Sequence, residues 1–272
     1  MKKVLYVVLI VGIIVGLGIC SYPFVAGYIN EWKNRDSIVQ YDTKVDKLDS
    51  NVKKELLSKA LDYNRVVANP YSLNSNKEAT KDILNTYDDV LNFDNSLICY
   101  LSIPSIDVNL PVYHETKENV LSVGAAHMEG TSFPINSGEI GSHSVISAHS
   151  GYPSQKFFDD LDKLKKGDKF TIKLLDISTT YKVVDINIVK PDDMSKFKVK
   201  EGKDLVTLVT CYPFSINTHR LLVTGERFKN EYNKKSNISN GVDVLFIGCI
   251  CALFVGYVVI FTVVRRKSRR CE

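Results

Sequence analysis

A thiol and a guanidinium nine positions apart, Cys211 and Arg220, are the residues of this 272-residue chain whose types and spacing most suggest chemistry. They lie in Thr207-Leu-Val-Thr-Cys211-Tyr-Pro-Phe-Ser-Ile-Asn217-Thr-His219-Arg220-Leu-Leu-Val-Thr-Gly-Glu-Arg227. The runs 205–210 and 220–224 are rich in Val, Leu and Thr, which predicts two strands. Pro213 and Asn217 supply turn chemistry between them. Antiparallel pairing of these strands would carry the thiol to the guanidinium. A sulfur nucleophile beside a fixed cation with planar donors suits acyl transfer: the sulfur attacks a carbonyl and the cation holds the developing oxyanion.

The elements that must position this pair are mostly strands. From residue 96 the apolar pattern alternates, with Leu97, Cys99, Leu101 and Ile103 set against Ile98, Tyr100 and Ser102. Further strands are predicted at 109–113, 144–148, 170–175 and 181–189, and short strands at such spacing predict a closed antiparallel or mixed barrel. Ahead of them, Val45, Leu48, Val52, Leu56, Leu57, Ala60, Leu61 and Val66 recur at three- and four-residue spacing, which predicts an amphipathic helix over 44–67. It stops at Asn69, which a following proline pushes out of the helical region. A second short helix is expected around 77–90.

Both ends of the chain are apolar. Residues 4–28 and 244–264 carry no charge, and each is long enough to cross a hydrocarbon core of roughly 30 Å as a helix. Lys2 and Lys3 precede the first run, and Arg265, Arg266, Lys267, Arg269 and Arg270 follow the second. The positive-inside rule then puts both termini in the cytoplasm and the intervening domain outside. Those seven cations, less Glu272, leave the rest of a +4 chain at −2, so the basic balance reflects topology and no nucleic-acid partner is expected.

Of six cysteines, Cys20, Cys249 and Cys251 fall in the apolar runs and Cys271 in the basic tail, leaving Cys99 and Cys211 outside. Two cysteines make no disulfide framework. Cys99, in Leu97-Ile-Cys-Tyr-Leu-Ser-Ile103, reads as a small buried hydrophobe. No zinc-ligand spacing and no dedicated carboxylate cage appear, so neither a metal nor a cofactor is expected.

The hairpin as a whole resembles the active-site hairpin of sortases, in particular the class C, pilin-polymerising type, whose signature runs T-L-V-T-C-x-P and then N-T-H-R-L-L-V-x-G-E-R. Tyr100-Leu-Ser-Ile-Pro-Ser-Ile106, Gly124-Ala-Ala-His127-Met-Glu-Gly-Thr-Ser-Phe-Pro134, Asp160-Leu-Asp-Lys-Leu-Lys-Lys-Gly-Asp168 and Pro191-Asp-Asp193 leading to Gly202-Lys-Asp-Leu205 extend the likeness. Ala126 stands where the family pattern has its second glycine. The resemblance implies an eight-stranded sortase β-barrel over 96–228. A helical, lid-bearing segment (29–95) precedes it, and a linker (229–243), a membrane helix (244–264) and a cytoplasmic tail (265–272) follow. Residues 1–28 would be the cytoplasmic tip and first anchor.

Five histidines compete to be the proton donor. Ser147-Ala-His149-Ser-Gly151 is similar to the family's T-G-H-R-G, which nominates His149, with Ala148 and Ser150 as departures. His219 adjoins Arg220, so on a strand it points to the opposite face and reads as structural. His127 and His143 match positions without catalytic assignment, and His114 is expected on the surface. Asn69-Pro70-Tyr71 fits the place of the family's D-P-aromatic lid, with an amide where the family usually has a carboxylate.

What the resemblance implies is transpeptidation in two steps. Cys211 attacks the threonyl carbonyl of an L-P-x-T-G-like sorting motif on a pilin or surface-protein precursor. Arg220 steadies the oxyanion, and His149 protonates the departing glycine amine. A lysine amine of another pilin subunit then resolves the thioester, at the outer face of a Gram-positive-type membrane. Two other readings are a housekeeping sortase that anchors proteins to peptidoglycan and a non-catalytic, membrane-tethered barrel that binds peptides. The order of histidine before cysteine argues against a papain-like protease, and the flanks of Cys211 lack the caspase pattern.

Overall fold

Eight strands close into a barrel in the computed structural model, which describes residues 2–68, 82–93, 96–114, 117–152 and 155–228. The strands are β1 (Leu97–Ile103), β2 (Val108–His114), β3 (Ala125–His127), β4 (Ser142–Ser147), β5 (Lys169–Leu174), β6 (Ile177–Val189), β7 (Asp204–Tyr212) and β8 (His219–Arg227). Around the barrel they run β1-β2-β3-β4-β7-β8-β6-β5. The pairs β2–β3 and β4–β7 are parallel, and the other neighbours are antiparallel. Closure leaves no unpaired sheet edge.

The alternation of side chains fixes what each strand shows to each face. On β7, Val206 and Leu208 join Ile146 of β4 and Leu221 and Val223 of β8 in the main core. Val209 points the other way and packs with Val145 of β4 and Leu222 of β8 in a separate cluster on the outer face. This smaller cluster is roofed by Met128, by Val189 at the end of β6, and by Phe197 from the β6–β7 connection. Strand β7 is therefore covered on both faces, which accounts for its unbroken burial from Asp204 to Thr210 and its run of Val, Leu and Thr.

Two helices precede the barrel. Helix α1 (Lys2–Lys47) continues through the apolar run, with Pro23 inside it, to residues that pack on the barrel. Ile38, Tyr41 and Val45, three and four apart, are buried. The Tyr41 hydroxyl donates to the Ile98 carbonyl (2.8 Å) and accepts from the Leu175 amide (2.8 Å). Helix α2 (Ser50–Ala68) brings Asn64 to Phe133, where its Nδ2 donates to the Phe133 carbonyl (3.0 Å) and its Oδ1 accepts the Phe133 amide (2.7 Å). The single helix expected over 44–67 is thus the end of α1 and all of α2. Asp49 makes the break, its Oδ1 accepting the Asn51 amide at 2.7 Å as a capping residue does. Of the short helix expected near 77–90, the described part is a helical turn at 82–85 followed by a 3₁₀ turn, Tyr87–Asp89.

Among the described residues, one helix is long and apolar enough to cross a membrane, within Val8–Lys47. The expected second span, 244–264, and the lid residues Asn69, Pro70 and Tyr71 lie outside the described residues.

His114 corrects an expectation. It is buried, with Nδ1 3.1 Å from the Ser96 carbonyl oxygen and Nε2 2.7 Å from that of Val90. The sequence around it is polar, but position 114 is the last residue of β2 and faces the Tyr87 and Phe133 rings.

Candidate active site

Strands β7 and β8 pair with Cys211 directly opposite Arg220 and Tyr212 opposite His219. Counting back in twos from Cys211 reaches Val209 and Thr207, so its side chain shares the outer face with them. On β8, Arg220 shares that face with Leu222 and Thr224, which pair with Val209 and Thr207. On the far side of β8, Arg220 lies opposite Val189 of β6.

Strand β4 completes the arrangement from the other flank. It runs parallel to β7 with Val145 beside Thr207 and Ser147 beside Val209. The ladder continues past the strand end: the Ala148 amide donates to the Val209 carbonyl (3.1 Å), and the Thr210 hydroxyl donates to the Ala148 carbonyl (2.8 Å). The paired register ends at Ser147, with Ala148 the last residue bonded to β7. Carried two residues further, it would bring His149 beside Cys211, and imidazole, thiol and guanidinium would form one row on the face of the apolar cluster of Val145, Val209 and Leu222.

Each member is held by its own surroundings. Arg220 Nη1 donates to the carbonyls of Asn217 (3.3 Å) and His219 (3.0 Å), so the guanidinium closes the β7–β8 turn. Within that turn the Ile216 and Asn217 amides both donate to the Pro213 carbonyl (3.0 Å each). The His149 ring stacks on Tyr152, with centroids 5.4 Å apart and planes 15° apart, and lies tilted against Phe157 at 6.3 Å. Its Nε2 is shielded from solvent without an aligned hydrogen bond, and the Glu118 carboxylate, on helix α3 (Glu118–Leu121), stands 3.3 Å away.

Two rows along the same face, a polar chain ties down the β6–β7 connection. His143 Nδ1 lies 3.0 Å from the Lys198 carbonyl oxygen and Nε2 2.7 Å from the Thr207 hydroxyl, which is itself 2.8 Å from that of Thr224. Nδ1 facing a carbonyl must carry the proton, so Nε2 accepts from Thr207. Burial pushes the His143 pKa below the usual histidine value, in keeping with this neutral role.

The remaining titratable candidates sit elsewhere. Cys99 is fully buried in β1, and burial pushes its thiol far above the ordinary cysteine range. His127 is buried in a stack with Phe133 (4.8 Å, 10°), and burial lowers its pKa to about 4. His219 lies on the opposite face of β8 from Arg220, with Nδ1 3.0 Å from the Thr218 hydroxyl. Among the described residues no group of three or more His, Cys, Asp or Glu side chains could hold a metal. Sequence reading passed over Glu118, Tyr152 and Phe214. The last two carry a legible signal, being aromatic residues three positions from His149 and Cys211.

Comparison with known proteins bears on the same strands. A family model described as the sortase domain matches residues 101–228. The crystal structure of sortase C1 from Streptococcus agalactiae is 39% identical, aligning over 72% of this chain and 100% of that one with a TM-score of 0.64. The chain belongs to the sortase family. Sortase C from Clostridium perfringens SM101 is 35% identical over 71% of this chain and 98% of its own, with a TM-score of 0.60. A sortase C of Clostridium perfringens, 38% identical, has been solved with the C-terminal cell wall sorting motif. Its structural neighbours are thus class C sortases, members of a family of cysteine transpeptidases. Sortase D of Bacillus subtilis (strain 168) is 33% identical over 115 residues, 42% of this chain and 54% of that protein. The chain spans about half the length of the curated relatives it matches.

Proposed function

We propose that this sortase is a membrane-anchored transpeptidase that joins pilin subunits, with Cys211 as nucleophile, His149 as general acid and base, and Arg220 as the cation at the oxyanion. The observation that supports the reading is the direct pairing of Cys211 with Arg220 across β7 and β8, with Ala148, the neighbour of His149, bonded to Val209 of β7, so that a continued register would align the three groups in one row. A peptide laid over that row presents one carbonyl to sulfur, donor and proton source together, the positioning that acyl transfer requires.

The chemistry balances as two acyl transfers. The Cys211 thiolate attacks the threonyl carbonyl of an L-P-x-T-G-like motif, and the tetrahedral oxyanion is met by the Arg220 guanidinium. The carbon–nitrogen bond to glycine breaks as the His149 imidazolium gives its proton to the leaving amine. A neutral lysine amine of another pilin then attacks the thioester, its proton passes to His149, and the thiolate departs. The domain of 96–228 would stand outside the cell, tethered by α1 and by the apolar run 244–264, with Asn69-Pro70-Tyr71 as a lid over the groove. The class C neighbours, each aligned nearly end to end, favour polymerisation over wall anchoring.

Incubation of the protein with peptides carrying Leu-Pro-x-Thr-Gly and a lysine-containing acceptor, read by mass spectrometry, tests this directly. The expected product is an isopeptide between threonine and lysine, lost in Cys211→Ala. A product formed with a peptidoglycan-type amine but not with lysine would indicate wall anchoring. Turnover persisting in Cys211→Ala would end the assignment.

A further inference from the structure

The segment that follows β4 carries the proposed general acid, yet it has no strand partner of its own beyond Ala148. One carboxylate bridges two points of it. Asp159 Oδ1 accepts the Gly151 amide (2.8 Å), and Oδ2 accepts the Phe157 amide (2.8 Å). Inside this clamp the Phe158 amide donates to the carbonyl of His149 itself (2.9 Å). The two rings against the imidazole, Tyr152 and Phe157, belong to the clamped segment. Among the described residues, the ring contacts made to His149 from its own segment therefore come from backbone held by Asp159.

We infer that Asp159 is a positioning residue for the reaction: its two oxygens tie Gly151 to Phe157, and so hold the backbone on which His149 and its stacking rings are carried toward Cys211. This rests on the reading of His149 as general acid and base. A carboxylate is suited to the place because both its oxygens are acceptors, and charge-assisted bonds to amides are about twice as strong as neutral ones. An asparagine keeps one acceptor and turns an N–H₂ toward the other amide, so it undoes half of the clamp. Asp159 makes no contact with the row and takes no proton in the reaction.

The test follows the pH dependence of Cys211 alkylation by iodoacetamide in the full-length protein, together with kcat and KM for a Leu-Pro-x-Thr-Gly peptide. The variants are Asp159→Ala, Asp159→Asn, His149→Ala and Asp168→Asn. Asp168 is the control, since its Oδ2 accepts the Lys165 amide (2.8 Å) in a loop remote from the row. In Asp159→Ala the alkylation profile should move toward that of His149→Ala, and kcat should fall by about 100-fold, the scale of a loss of alignment near 1 Å, with KM little changed. Asp159→Asn should lie between this and wild type, and Asp168→Asn should match wild type. An Asp159→Ala profile superimposed on wild type while His149→Ala differs would overturn the inference and leave the general acid standing. The same losses in Asp168→Asn would overturn it too, as a generic stability effect. A His149→Ala profile and turnover equal to wild type would instead remove the reading beneath it.

Discussion

The phenyl ring of Phe214 lies against the backbone of Gly151, so close that a Cβ at position 151 would stand 3.1 Å from its nearest ring atom. One residue belongs to the turn that follows Cys211 and the other to the segment that follows His149, so this contact joins the two loops through a ring that is 57% exposed. Gly151 also has a φ of +80°, where side chains are disfavoured. Gly151→Ala should therefore cost about 1–2 kcal/mol in folding and push the loops apart. Denaturation midpoints measure the first effect. A fall in kcat larger than that of an equally destabilised variant elsewhere measures the second.

Arg220 closes its turn through Nη1 and pairs with Cys211 across the β7–β8 ladder, so the proposed oxyanion role would be a second task for one guanidinium. A lysine ammonium cannot serve both, having no planar fork. Arg220→Lys should lower kcat by about 10²–10³-fold, the scale seen on losing one oxyanion donor. Stopped assays with a sorting peptide decide this, and near-normal turnover would leave Arg220 a turn-closing role only.

The two barrel cysteines should differ sharply toward alkylating reagents. Cys211 is partly exposed on the outer face, while Cys99 is buried with its thiol held protonated. Peptide mapping after iodoacetamide treatment should find Cys211 modified and Cys99 untouched until denaturant is added. With a bulkier thiol reagent, Tyr71→Ala should speed labelling of Cys211 if residues 69–71 act as a lid. An unchanged rate would remove the lid.

Acid should weaken the junction between helical segment and barrel through His127. Its pKa falls from 6.5 to about 4 because burial disfavours the charged ring. The unfolded chain then binds the proton first as pH drops. The stability this residue contributes is complete above pH 6.5 and is lost between there and pH 4, by about 3 kcal/mol at the rate of 1.36 kcal/mol per pH step. Denaturant midpoints taken across that range should fall more steeply in wild type than in His127→Gln.

Much of the barrel was legible because its strands carry period-two patterns bounded by turn residues, and β7 and β8 follow the Val, Leu and Thr runs to within three residues at each end. Strand β3 was not, since three residues, Ala125–His127, are too few to show a period. The break between α1 and α2 was hidden because apolar spacing continues through it, and only the Asp49 cap marks it. At the site, Cys211 facing Arg220 follows from a hairpin and could be foreseen. The place of His149 depends on a parallel register between strands far apart in sequence, which no local pattern encodes. His114 misled because polar neighbours in sequence say nothing of the aromatic cluster that tertiary packing lays over it.

The parallel ladder between β4 and β7 is also the joint of longest reach at the candidate site. Ser147 and Val209 pair although the whole β5–β6 hairpin lies between them in the chain, whereas Cys211 and Arg220 meet across a single turn. Loop-closure entropy grows with the separation to be closed, so the short contact is the cheaper of the two to make. The segment that follows β4 is thus the part of the site most exposed to whatever loosens the barrel.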